Sequence, residues 1–266
     1  MTISNFRRIQ KIALTTALLT AAACHAQLPP PVLSRLEALQ TKPESAGALV
    51  YRGATFAQRQ AAGNPLFRYE RRVQDAATGP TANHITSDPA GHVIILESAT
   101  LSNAYEVRRF EATNRQSGIA GSVQVSSDGR HLEYELNDNG KVSKAAEDVS
   151  APVVCGPSLF GFILKHWEPL KAGTTIPVRM VVLQEKTSYG FDLKFGKSAN
   201  DQATFTLTPS NFLVRMAISP LTVTLDTRTR TPVRYEGRVP PMESVDGKLK
   251  NLDARVEYTS LAPVYR

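Results

Sequence analysis

The chain of 266 residues is short of the features that usually announce a chemistry. It has two cysteines, Cys24 and Cys155. If processing removes the first 26 residues, Cys155 alone remains and no disulfide can form within the chain, so stability must come from core burial. Lys and Arg never cluster into a run long enough to grip a nucleic acid. One apolar run, Ile12 to Ala23, is present, and no second approaches the length of a membrane-spanning helix. Internal repeats and low-complexity stretches are absent from the sequence, and so is any complete catalytic signature.

What is present begins at the amino terminus. Arg7, Arg8 and Lys11 precede the run Ile12–Ala23, and small residues follow. That is the layout of a bacterial secretory signal over residues 1–26, with cleavage after Ala23 or Ala26. Cys24 stands where a lipoprotein signal places its acylated cysteine, but Ala21 occupies the position usually held by Leu. The expectation is therefore a periplasmic protein, with lipid anchoring through Cys24 as the alternative. The whole chain carries 31 Lys+Arg against 24 Asp+Glu, a formal charge of +7; without the three basic residues of the signal it falls to +4.

Residues 27–46 read as a Pro-rich lead (Pro29-Pro30-Pro31) and a short helix from Val32 to Gln40, with Val32, Leu33, Leu36 and Leu39 on one face and Lys42-Pro43 as its stop. Residues 47–266 read as one β-rich domain. Apolar residues recur at every second position in Leu132/Tyr134/Leu136, Val178/Met180/Val182, Tyr189/Phe191/Leu193/Phe195, Ala203/Phe205/Leu207, Leu221/Val223/Leu225 and Leu252/Ala254/Val256/Tyr258. Such alternation buries one face of each strand and wets the other, as in an antiparallel sheet. Asp88-Pro89-Ala90-Gly91, Asp128-Gly129 and Asn139-Gly140 supply turns. The short separations favour a meander of ten or eleven strands. Lys141–Ser150 and Lys197–Gln202 read as surface loops. Pro157–Trp167 breaks the pattern: it is apolar on nearly all sides, starts with Pro and is followed by Pro169. A helix of that kind must be covered on most sides. The expected fold is all-β with two short helices: a strongly curved antiparallel sheet or incomplete barrel, with the apolar helix against its concave face.

Candidate chemistry is sparse. Gly156-Pro157-Ser158-Leu159-Phe160-Gly161 approximates the nucleophile elbow, but its second Gly is one residue late and no parallel sheet surrounds it, so Ser158 reads as a helix-start residue. Cys155 with His166 as base would be a nucleophilic pair, but both sit at the edges of an apolar segment, where a buried inert thiol fits better. His84 and His92 flank the Asp88 turn and would need a third ligand to hold a metal. Glu135–Glu147 fails as a calcium loop because Ala146 stands where a bidentate Glu is needed. Arg68-Tyr69-Glu70-Arg71-Arg72 and Arg234-Tyr235-Glu236-Gly237-Arg238 read as wet strand faces laced by ion pairs, or as a rim of arginines for an anionic head group. No cofactor and no metal is expected.

The export signal, the meander and the apolar Pro157–Trp167 helix resemble the half-open β-barrels of periplasmic carriers that shuttle lipoproteins between membranes, and uncharacterised domain families related to them. The closing segment Thr231–Val239 is similar to the last hairpins of such exported proteins. The resemblance implies binding of a lipid or another apolar molecule and carries over no catalytic residue. The residues expected to hold that ligand are Phe160, Phe162, Trp167, Tyr189, Phe191 and Phe195, with Arg234 and Arg238 at the mouth; the membrane surface or another envelope protein is the further partner expected. The alternatives are a structural or partner-binding envelope protein with a filled core, and a hydrolase using Ser158 or Cys155.

Overall fold

A computed structural model of the protein describes residues 28, 30–58, 63–77 and 79–261. The segment read as an export signal, with Cys24, lies outside the described residues. Fifteen strands form one sheet among them: β1 (Ala48–Ala57), β2 (Phe67–Gln74), β3 (Thr81–Ser87), β4 (Val93–Leu101), β5 (Val107–Asn114), β6 (Ile119–Val125), β7 (His131–Asp138), β8 (Lys141–Asp148), β9 (Val153–Val154), β10 (Ile176–Val182), β11 (Thr187–Ala199), β12 (Gln202–Pro209), β13 (Leu221–Asp226), β14 (Pro232–Val245) and β15 (Lys248–Ser260). In space the order runs from β8 back to β1, crosses to β15 and returns to β9. Neighbours are antiparallel except β9, which is two residues long and lies parallel to β10. The crossing is a ladder in which Tyr51 faces Ser260 and Ala57 faces Ala254, so the first and last strands lock together.

The strand count exceeds the ten or eleven expected. β8 is one reason: it is an edge strand whose residues are exposed or half-exposed, so it shows no apolar alternation and reads as a loop. Asn139 at φ 50° and Gly140 at φ 90° form the tight turn that leads into it, the left-handed pair a two-residue hairpin requires. Lys197–Gln202 is likewise no free loop: β11 continues to Ala199, and the turn is confined to Asn200 and Asp201.

The sheet curls until its two ends meet. Leu132 and Tyr134 of β7 pack in one buried cluster with Val153, Val181 and Leu183 from the opposite end. Arg179 of β10 reaches the Glu147 carboxylate of β8 at 3.3 Å, and Tyr134 Oη donates to the same carboxylate at 2.7 Å. No backbone ladder joins these ends among the described residues, so the barrel is incomplete.

Two helices account for the burial of both sheet faces. Helix α1 (Pro30–Thr41) lies on the convex side, where Leu36 and Leu39 pack with Ile85, Val93 and Leu96. Helix α2 (Gly156–Lys165) fills the concave side with Leu159, Phe160, Phe162 and Ile163. Each such side chain, fully buried, contributes roughly 1.5–3 kcal/mol. With cover on both faces, β3 is buried through five consecutive residues and β4 through its first five, which blurs their period of two. Ser158 closes the start of α2: its Oγ accepts from the Cys155 N–H at 2.9 Å and donates to the Cys155 carbonyl at 3.1 Å. Pro169 does not act as a stop after this helix. The chain bends at His166 and starts a second short helix, α3 (Trp167–Lys171), in whose first turn Pro169 is tolerated.

Candidate functional site

A cavity of about 290 Å³ lies between the concave face of the sheet and the start of α2. An engineered apolar cavity of about 150 Å³ already stays dry and takes up benzene. Leu159 and Phe160 of α2, Ile95, Phe110, Phe191 and Val256 of the sheet make its wall largely apolar. Its outer end is formed by exposed Gln184, Pro240 and Asn251; its deep end is formed by buried His84, Thr86 and Glu97.

The deep end is a polar cluster set in aromatic rings. Alternation on β2 places Tyr69, Arg71 and Val73 on the concave face and turns Glu70 and Arg72 outward, where Arg72 bonds the Glu70 carboxylate at 3.0 Å. Arg71 is 1% exposed. Its guanidinium donates to the Pro157 carbonyl at 2.6 Å and to His84 Nε2 at 2.8 Å. A guanidinium has donors only, so His84 Nε2 must accept, and the ring is neutral with its proton on Nδ1. Burial, reinforced by the Arg71 charge, holds His84 well below its ordinary pKa of 6.5, in agreement with that tautomer. Tyr69 packs edge-on to His84 at 4.8 Å between ring centroids, and Tyr51, Tyr258 and Phe160 close the box at 5.1–6.1 Å from one another.

Glu97 of β4 stands opposite His84 in the β3–β4 register. Its carboxyl Oε2 is 3.8 Å from His84 Nδ1, beyond hydrogen-bond range, and it makes no side-chain hydrogen bond among the described residues. Burial pushes the Glu97 carboxyl up from 4.5 to about 7. Gly156 opens α2 directly above this pair: a Cβ there would come within 3.7 Å of Glu97 Oε1 and 3.8 Å of His84 Nδ1.

The mouth is spanned by a clasp. Gln116, in the turn between β5 and β6, pairs its side-chain amide with the backbone of Met242 in both directions, each at 3.0 Å. Asn114 adds a bond to the Pro240 carbonyl at 3.3 Å. The β14–β15 register shifts between Val239 and Met242, across Pro240-Pro241, and frees the Met242 groups for this contact. Beside the mouth, helix α4 (Phe212–Ala217) exposes Phe212, Leu213 and Met216 at 72–75% and runs into Ile218, which lines the cavity.

The residues singled out from sequence divide between cavity and core. Phe160, Tyr189, Phe191 and Arg238 line the cavity. Phe162 is fully buried and packs at a tilt against His166, 4.2 Å between ring centroids, and does not line the cavity. Trp167 is buried against Phe205 at 5.1 Å, with the Arg230 guanidinium 3.7 Å above its ring. Phe195 packs on Phe205 at 5.7 Å, so the aromatic ladder of β11 serves the cavity at one end and solid core at the other. Arg234 is exposed beside Glu257 at 3.4 Å, while Arg238 is held by Asp253 at 2.7 Å.

Other pairings suggested by the sequence are not formed. His92 is exposed in the turn and bonds Asp88 at 3.1 Å, while His84 points into the core, so they do not face each other as metal ligands. His166 caps the far end of α2, about 16 Å from Cys155 by helical rise, and bonds the Phe162 carbonyl at 2.9 Å. The Cys155 thiol is buried and pushed up to about 12, chiefly by burial and then by the Glu97 charge. Reading Arg71 and Arg72 as part of a wet strand face is corrected by their burial: Arg71 lies on the concave side, and Arg72, on the other face, donates to the Gly47 carbonyl at 3.1 Å. Arg71, His84 and Glu97 form the cluster that the sequence reading missed. Its signal was a charged residue in phase with apolar ones: Arg71 with Tyr69 and Val73, and Glu97 with Ile95 and Ala99.

No family model and no curated protein matches the chain. Among solved structures, a porin-like protein from Bacteroides uniformis aligns over 80% of this chain and 97% of its own at 10% identity and a TM-score of 0.19, a likeness too slight to carry an argument. Among the described residues no helix is long and apolar enough to cross a membrane.

Proposed function

We propose that this protein is an exported, non-enzymatic component of the cell envelope that holds an apolar ligand, a lipid or an acyl chain, inside its incomplete barrel. The observation that carries the reading is the cavity of about 290 Å³ lined by Leu159, Phe160, Phe191 and their apolar neighbours. Burial of an alkyl chain there gains about 0.8 kcal/mol per methylene, and a preformed cavity spares most of the ordering cost. The exposed apolar side chains of α4 beside the mouth fit contact with a membrane surface from which such a ligand is drawn. A structural protein with a filled core has less support, because its core leaves this volume open.

Native mass spectrometry of protein purified from the envelope tests the reading. The expected result is a co-purifying lipid mass that disappears in an Ala112→Phe variant, which fills the cavity from β5. Spectra that stay free of any adduct would overturn it.

A further inference from the structure

The deep end of the cavity carries more information than its apolar wall. Glu97 and His84 are 8% and 6% exposed, and both face the cavity. The Glu97 carboxyl forms no hydrogen bond with the described residues, and its oxygens open on the cavity instead of being sealed in the core. The His84 tautomer is fixed by Arg71 behind it, so its Nδ1–H is a donor of fixed position. Acceptor and donor are 3.8 Å apart. One oxygen at about 2.8 Å from each, with about 85° between the two directions, reaches both groups at hydrogen-bond distance. Gly156 keeps the approach to the pair open, since a Cβ there would already sit 3.8 Å from both Glu97 Oε2 and His84 Nδ1.

We propose that this pair is a hydroxyl-binding site: one ligand hydroxyl donates to the Glu97 carboxylate and accepts from His84 Nδ1–H, so the apolar molecule held in the cavity is an alcohol. The inference rests on the cavity reading above and specifies its ligand class. An ammonium group has no lone pair to offer His84. A carboxylate has no proton to offer Glu97, and it would bring a second negative charge beside it. An ether or ester oxygen satisfies His84 and leaves the ionised Glu97 carboxylate, the form that prevails at pH 8, unpaired. Of these groups, only a hydroxyl serves both without a change of charge.

The test is calorimetric titration of the folded, lipid-stripped chain at pH 8 with decanol, decyl methyl ether, decylamine and decanoate. Decanol is expected to bind at least about tenfold more tightly than the ether, the ratio given by one hydrogen bond to a charged group. Glu97→Leu should abolish that ratio by weakening decanol while leaving the ether unchanged or tighter. Should Glu97→Leu not fold, the isosteric Glu97→Gln, with a weaker neutral acceptor, should narrow the ratio. Equal binding of decanol and the ether would overturn the hydroxyl site, as when a resident water already fills the bridge, and leave the cavity reading standing. Tighter binding of decylamine or decanoate would also overturn it. Failure of all four probes to bind would remove the cavity reading along with it.

Discussion

Replacing Glu97 by Gln should make the ligand-free protein more stable at pH 8 and leave it nearly unchanged at pH 4.5. The carboxyl titrates near 4.5 when exposed and near 7 in the fold, because burial penalises its ionised form. The folded protein therefore binds this proton more tightly than the unfolded chain does. Below pH 4.5 the group is protonated in both states and costs nothing. Between pH 4.5 and 7 stability falls as pH rises, and above pH 7 the full penalty applies. Over that interval, at about 1.4 kcal/mol per pH unit, the penalty is ~3 kcal/mol. Glutamine keeps the shape and removes the charge. His84, held well below 6.5, weakens the fold as pH falls, but it does so in both proteins, so the difference between them isolates Glu97. Urea unfolding of both proteins at pH 4.5, 6 and 8 measures the effect. The unfolding free energies should diverge by ~3 kcal/mol toward pH 8. Curves that run parallel across this range, or a variant that loses stability at pH 8, would refute the account of Glu97 as a buried carboxyl without a partner.

Three further outcomes follow from the same geometry. Phe160→Ala, which removes a ring shared by α2, the aromatic box and the cavity wall, should cost about 3–5 kcal/mol in chemical denaturation. Gln116→Ala breaks the two-way clasp to Met242, and stopped-flow exchange of a bound fluorescent fatty alcohol should accelerate by roughly tenfold, as expected for the loss of one to two hydrogen bonds; an unchanged rate would place the entry route elsewhere. Phe212→Glu combined with Met216→Glu should reduce sedimentation with phospholipid vesicles by at least about tenfold, since two exposed apolar side chains are exchanged for charges.

The architecture was legible because most of it obeys one rule. A run such as Leu221/Val223/Leu225 has a wet face and a buried face, and the structure places it as β13, as read. The rule fails where the environment has no wet face or no buried one. β3 and β4, covered by α1 and α2 together, lose their alternation, and β8 at the edge has nothing apolar to alternate. The candidate site was harder to read for a related reason. Arg71 lies between Glu70 and Arg72, two outward-facing charges, so the three look alike in sequence although β2 turns the middle one inward. His84 was tied to His92 by proximity along the chain, whereas its true partners, Arg71 and Glu97, come from the strands on either side. The apolar helix was recognisable from composition alone, but the division of its aromatic residues between cavity and packed core depends on how the sheet bends around it.

The meeting of the two sheet edges has a mechanical consequence. Along that seam the molecule is held by side chains such as Arg179 and Glu147. Elsewhere around the circumference, neighbouring strands share a ladder of main-chain bonds. The two edges are also tied by the chain itself, because only residues 149–152 separate β8 from β9, and buried Leu132, Tyr134, Val153, Val181 and Leu183 meet across the gap. The vessel is thus closed along one line by a short span of chain and a greasy contact, where every other join is a run of paired strands.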